Sequence, residues 1–180
     1  MKTLSRFLVR DYSSIHIELP EHISNHVVAW GYENIPDSCI FFNPNRPSFG
    51  REKCPHITVL YGITGNQGSK IKDLINTIPP FEVTLGTTSL FYSEYFDVVK
   101  INVASCNLHQ INSILNRSLN VVSIYPKYIP HVTVAYVEKN NGEKYRGLTE
   151  FSGKKIQVNE LTFSLKNGTK QDIKLGVSNA

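Results

Sequence analysis

One seven-residue segment of this chain is written twice, with two changes. Pro55-His56-Ile57-Thr58-Val59-Leu60-Tyr61 and Pro130-His131-Val132-Thr133-Val134-Ala135-Tyr136 agree at five of seven positions and lie 75 residues apart. The same ungapped offset pairs Asn66 with Asn141, Val83 with Val158, Thr87 with Thr162, Ser89 with Ser164, Leu90 with Leu165 and Asp97 with Asp172. A likeness that outlasts its motif is an internal repeat, and two similar units that each expose one apolar face bury those faces against each other. With 180 residues to distribute, the reading is a single two-lobed domain over 1–180, with approximate repeats 14–92 and 97–177 about a pseudo-twofold axis.

The periodicity fills in each repeat. Ile15, Ile17 and Leu19 alternate as in a half-buried strand that Pro20 ends, and Ile23, Val27, Trp30 and Ile35 recur at helical spacing over 21–35. Residues 36–55 hold Pro36, Pro44, Pro47, Gly50 and Pro55, too many breakers for a regular element. A strand follows at His56–Ile63, a short helix at Ser69–Ile78 closed by Pro79 and Pro80, and strands at 81–92 and 97–103. Leu108, Ile111, Ile114 and Leu115 mark the next helix face. Strands are then expected at His131–Val137, 156–165 and 173–177, with a turn at Asn167-Gly168. The order is strand, helix, long connection, His-strand, twice over.

Side chains two apart on a strand share a face, so His56 lies with Thr58 and His131 with Thr133. Brought together near a twofold axis, the pairs give two imidazoles and two hydroxyls around one point. Phosphodiester cleavage needs a base for the attacking oxygen and an acid for the leaving oxygen, and two histidines near neutral pH can divide that work. The threonine hydroxyls can donate to the non-bridging oxygens. One His-x-Thr alone is better explained as a hydrogen-bonded strand residue beside a good β-former; two in register within a wider repeat point to chemistry.

The duplicated motif, PHITVLY and PHVTVAY, resembles the 2H phosphoesterase superfamily. That superfamily includes 2′-5′ RNA ligase or RNA cyclic phosphodiesterase proteins, 2′,5′-oligoadenylate phosphodiesterases and phage anti-CBASS nucleases. The resemblance implies an α+β fold of two lobes with antiparallel sheets around a central cleft. It also implies catalytic roles for His56, Thr58, His131 and Thr133; it favours His131 as base and His56 as acid in the hydrolytic case, while the twofold symmetry leaves the two roles exchangeable with substrate orientation. It leaves open hydrolysis, cyclisation or ligation, and leaves open an RNA end, a cyclic oligonucleotide or another nucleotide phosphodiester as the partner. A module that binds such a ligand without cleaving it is the alternative from another class.

Substrate contacts are expected beside the motifs. Arg51 and Lys53 precede the first and Lys127 the second, where a cation can meet phosphate or serve as surface charge. Phe41, Phe42 and Phe49 can stack bases or anchor their loop. Tyr61 and Tyr136 point away from the catalytic side on a regular strand; a bulge would re-aim them toward bases or phosphate. His22 and His26 have zinc spacing, but no Glu lies between them and no third ligand presents itself, so no metal is expected. His16 and His109 read as ordinary structural or surface residues.

Composition excludes more than it selects. Hydrophobic residues at 41% and charged residues at 19% fit a packed core, and the net charge of +4 suits an anionic ligand without requiring one. Three dispersed cysteines give neither a disulfide framework nor a Cys-based zinc site. No phosphate-binding or dinucleotide glycine motif occurs, so no cofactor is expected. MKTLSRFLVR is basic but lacks a signal-peptide core, which reads as a cytoplasmic protein, or one of the host cytoplasm if phage-encoded.

Overall fold

The computed structural model describes residues 12–44, 49–122 and 127–176. The basic N-terminal run, Pro47 and Val177 lie outside the described residues. The chain forms β1 (Ser13–Glu18), α1 (Glu21–Asn34), β2 (His56–Ile63), α2 (Gly68–Asn76), β3 (Phe81–Tyr92), β4 (Phe96–Ala104), α3 (Cys106–Ser118), β5 (His131–Glu138), β6 (Lys155–Val158), β7 (Glu160–Ser164) and β8 (Lys170–Lys174). Pro20 starts α1 because its missing N–H is not needed there, while its carbonyl accepts from the amides of Ile23 and Ser24, each at 2.9 Å. Among the described residues no helix is long and apolar enough to cross a membrane.

The strands form one antiparallel sheet in the order β6-β3-β4-β5-β2-β1-β7-β8. Its middle is its weakest seam, since β5 and β2 pair only at Ile57 and Val132. Two four-stranded halves result, and each draws strands from both sequence repeats. β3, from the first repeat, pairs with β4; β7, from the second, pairs with β1. The helices cross over too: α1 packs on β5 and α3 on β2. Ile15, Ile17, Ile57, Val59, Val99, Ile101, Val132 and Val134 bury one sheet face in a core shared with Ile23, Val27, Leu108 and Leu115. Truncating Ile57 at the seam to Ala would cost about 2–5 kcal/mol by the usual scale for core cavities.

Residues 156–165, expected as one strand, form two. β6 pairs with β3 at one edge of the sheet and β7 with β1 in the other half, with only Asn159 between them. The sheet is curled, and this junction ties one edge strand to the strand next to the opposite edge. The sequence carries the signal in a change of phase: Ile156 and Val158 are buried on even positions, Leu161 and Phe163 on odd ones. The last strand also begins earlier than expected, at Lys170, since Gly168 at φ +91° and the Asn167 side chain make the turn just before it.

Where β2 and β5 diverge, the long connections close their free edges. The Phe41 amide donates to the Tyr136 carbonyl (3.0 Å), Tyr136 to Gly50 (2.8 Å) and Glu52 to Val134 (2.9 Å), so Phe41 and residues 50–52 are strapped along β5. On the other side, Val122 donates to the Gly62 carbonyl (2.9 Å) and Thr64 to Asn120 (3.0 Å). Gly62 allows this approach: its φ is +96° and a Cβ there would lie 2.3 Å from the Val122 oxygen. Each His-strand is thus edged by the connection that leads into the other.

Candidate active site

Ile57 and Val132 meet at the seam and turn into the core, so their neighbours in sequence point to the opposite face. His56, Thr58, His131 and Thr133 therefore share that face, all partly exposed. Each imidazole is held in the same way. The Cys54 carbonyl accepts from Nδ1 of His56 at 2.9 Å, and the Ile129 carbonyl from Nδ1 of His131 at 2.7 Å. With Nδ1 committed to a carbonyl two residues back, Nε2 is the atom left for a substrate in both rings. The acceptors are repeat equivalents, so the tautomer is built into both copies.

Register supplies the neighbours. Across from Thr58 on β1 stands His16, and across from His56 stands Glu18. In the other half Lys100 stands across from Thr133 and Asn102 across from His131. His16, expected as an ordinary residue, is a wall of the site: its ring centroid is 4.9 Å from that of His56 and its Nε2 bonds Glu18 at 3.0 Å. Burial holds His16 below the usual imidazole range despite the Glu18 bond. For Glu18 burial pushes upward, but hydrogen bonds from Lys170 and His16 outweigh it and keep the carboxyl below its ordinary range.

Lys100 is almost fully buried. Its ammonium donates to Ser89 Oγ (2.7 Å) and Asn102 Oδ1 (2.8 Å) and lies 4.5 Å from the centre of the Phe91 ring. Phe91 in turn meets the His131 ring edge to face, 4.8 Å between centroids. Burial lowers His131 below its ordinary range; Lys100 and His56 add to this, and the Ile129 bond opposes it. His131 is accordingly suited to accept a proton near neutral pH.

Both His-strands carry a bulge just past the threonine. Pairing steps from His16 and Thr58 to Ile15 and Leu60, passing over Val59, and from Lys100 and Thr133 to Val99 and Ala135, passing over Val134. The carbonyls of the extra residues are satisfied by Asn112 Nδ2 (2.7 Å, to Val59) and the Glu52 amide (2.9 Å, to Val134). The bulges re-aim Tyr61 and Tyr136 onto the histidine face, which corrects the regular-strand expectation. The doubled apolar residues Val59-Leu60 and Val134-Ala135 are its trace in the sequence. Tyr136 joins an aromatic wall, its ring 4.9 Å from Phe49 and 5.5 Å from Phe96, while Phe41 lies 5.3 Å from Phe49 and 5.0 Å from Phe96. Tyr61 meets Tyr12 edge-on at 6.0 Å in the other half.

Arg51 has another role than the phosphate contact expected of it. Its guanidinium donates to the carbonyls of Gly31 (3.1 Å) and Ile35, pairs with Asp37 (2.6 Å) and lies over Tyr32. It closes the C-terminal end of α1, as a cation does for carbonyls that lack helical partners. Lys53 and Lys127 are exposed, and Phe42 is the most exposed of the loop aromatics. Tyr128, unnoticed in the sequence, donates from its hydroxyl to the Thr58 carbonyl at 3.0 Å, and burial pushes its phenol far above the usual range. His109 packs on Tyr128. Among the described residues no three His, Cys, Asp or Glu side chains gather as a metal site. His26 is held by Glu150 (2.8 Å) and Lys154 (2.7 Å).

A family model described as the 2′-5′ RNA ligase superfamily matches residues 20–166. Among solved structures, the chain is similar to TT0787 of Thermus thermophilus, at 14% identity and TM-score 0.62 over 93% of this chain and 100% of that one. E. coli LigT in its apo form matches at 17% identity and TM-score 0.60, over 92% of this chain and 97% of that one. LigT complexed with 3′-AMP matches at 16% identity and TM-score 0.58, over 91% and 94%. At these identities the structural likeness establishes the fold. No curated protein matches the sequence significantly.

Proposed function

The chain belongs to the 2′-5′ RNA ligase superfamily of 2H phosphoesterases, and from that premise we propose that it cleaves an RNA-type phosphodiester, a 2′,3′-cyclic phosphate or a cyclic or 2′-5′-linked oligonucleotide between His56 and His131, without a metal. The observation that carries this reading is the matched tautomer lock: both Nδ1 atoms are taken by backbone carbonyls, leaving two Nε2 atoms on one face beside two threonines. Nε2 of neutral His131 accepts the proton of the attacking oxygen, from water or from the substrate's own 2′-hydroxyl. Nε2 of His56 gives a proton to the leaving oxygen. Water yields an opened phosphomonoester; the 2′-hydroxyl yields a 2′,3′-cyclic phosphate. Thr58 and Thr133 donate to the non-bridging oxygens as negative charge gathers there. E. coli LigT, similar in fold, has been crystallised with 3′-AMP, which supports a nucleotide as the ligand class.

The test is a panel of 2′,3′-cyclic phosphate ends, 2′-5′ oligoadenylates and cyclic di- and trinucleotides, incubated with and without excess EDTA and resolved by chromatography. Product release that survives chelation supports the reading. Stoichiometric binding with unchanged ligand would replace it with sequestration, and activity lost to EDTA and restored by zinc or manganese would bring a metal into the mechanism.

A further inference from the structure

The two halves of the site match in their catalytic groups and differ in what lies beneath them. His16 and Lys100 hold equivalent places, each across from a motif threonine. His16 has a carboxylate partner in Glu18. Lys100 has hydroxyl, amide and aromatic partners, and among the described residues no carboxylate forms an ion pair with it. We propose that Lys100 is a positioning residue that breaks the twofold symmetry of the site, fixing His131 as the base and thereby the direction in which a phosphodiester is read. The proposal rests on the phosphodiesterase reading above.

Lys100 is 3% exposed, too covered for a substrate to reach, so it acts through its neighbours. Its bonds to Asn102 and Ser89, closed by the Ser89 hydroxyl donating to Asn102 Oδ1 at 2.6 Å, fix the side chain across from His131. Its contact with Phe91 fixes the ring that meets His131 edge-on. The ionisable groups that bear on His131 are Lys100 from β4 and His56 from β2; β3 presents the uncharged Ser89 and Phe91. A buried ammonium without a counterion opposes a second positive charge nearby, which keeps the His131 imidazole open for a proton. With interchangeable histidines either end of a substrate could leave past either ring. With Lys100 in place, the attacking oxygen belongs on the His131 side and the leaving oxygen on the His56 side.

The test is an NMR titration of the histidine ring resonances in the wild-type protein, Lys100→Met and Lys100→Arg, joined to kcat/KM against pH for whichever panel oligonucleotide is turned over. His131 should titrate below the ordinary imidazole value in the wild type, shift upward in Lys100→Met and stay low in Lys100→Arg. Below the acid limb Lys100→Met should then lose kcat/KM, with little loss at alkaline pH. A wild-type His131 at or above the ordinary value, no movement in Lys100→Met, or an equal loss at every pH would overturn the proposal. Should Lys100→Met not fold, Lys100→Gln, which removes the charge but keeps a donor for Ser89 and Asn102, takes its place with the same expected rise and the same overturning result. The titration needs no turnover, so a protein inactive on every substrate would defeat the phosphodiesterase reading while leaving the coupling of Lys100 to His131 separately measured.

Discussion

Thr133 and Tyr136 project from the same face of β5 although they lie three positions apart, an odd spacing that a regular strand would turn to opposite faces. Thr133 stands across from Lys100 and Tyr136 across from Val98, two positions apart on β4, because the bulge at Val134 absorbs one residue. The strand thus presents a threonine hydroxyl and an aromatic ring together, and Phe49, from the connection that leads into β2, packs on that ring.

Phe49→Ala should therefore separate long substrates from short ones. A base stacked on this wall contributes about 1–3 kcal/mol, so kcat/KM for an oligonucleotide should fall roughly fivefold to a hundredfold. A minimal cyclic mononucleotide should change much less. Measuring both decides it; equal losses would show that the wall only packs the loop.

Arg51→Ala should behave in the opposite way. Its bonds run to the carbonyls of Gly31 and Ile35, while its ion pair with the exposed Asp37 adds little in solvent. The variant should lose about 1–3 kcal/mol of stability in urea unfolding with kcat/KM unchanged on either substrate. A selective loss on oligonucleotides with full stability would return Arg51 to the binding site.

His56→Ala and His131→Ala should each lower kcat by roughly a hundred- to ten-thousandfold, the usual cost of removing a general acid or base. The double variant should cost far less than the product of the two, since base and acid act in one displacement. Single-turnover kinetics on the three proteins would check this, and full activity in either single variant would exclude paired action.

Stability should fall as the solution is acidified through the histidine range. His16 and His131 are both held below their ordinary values, by burial above all. As pH drops through about 6.5 the unfolded chain takes up protons first, so unfolding is favoured. Glu18 acts lower: its carboxyl is held below its ordinary range, and its contribution is lost only as the pH falls through that depressed value. Urea midpoints between pH 7.5 and 5.5 should decline, and His16→Gln should flatten the slope. A flat wild-type profile would contradict the assignment.

The break of 156–165 into β6 and β7 was not recognised in the amino-acid order alone, whereas most strands, the duplication and the four motif side chains were legible there. These follow from local periodicity: a strand alternates every two residues, so His56 with Thr58 and His131 with Thr133 could be placed on one face without knowing what lay opposite. The bulges were half-legible, since Val59-Leu60 and Val134-Ala135 break the alternation that would have turned Tyr61 and Tyr136 into the core. What stands across from each motif was not legible. His16, Glu18, Lys100 and Asn102 enter the site only through the register of β1 on β2 and β4 on β5, and register depends on pairing between segments tens of residues apart. The exchange of β3 and β7 between the halves, and the turning of Arg51 onto the end of α1, are likewise tertiary choices. A side chain's chemistry is written at its own position, whereas its partners are decided by which distant strand the backbone hydrogen bonds bring alongside.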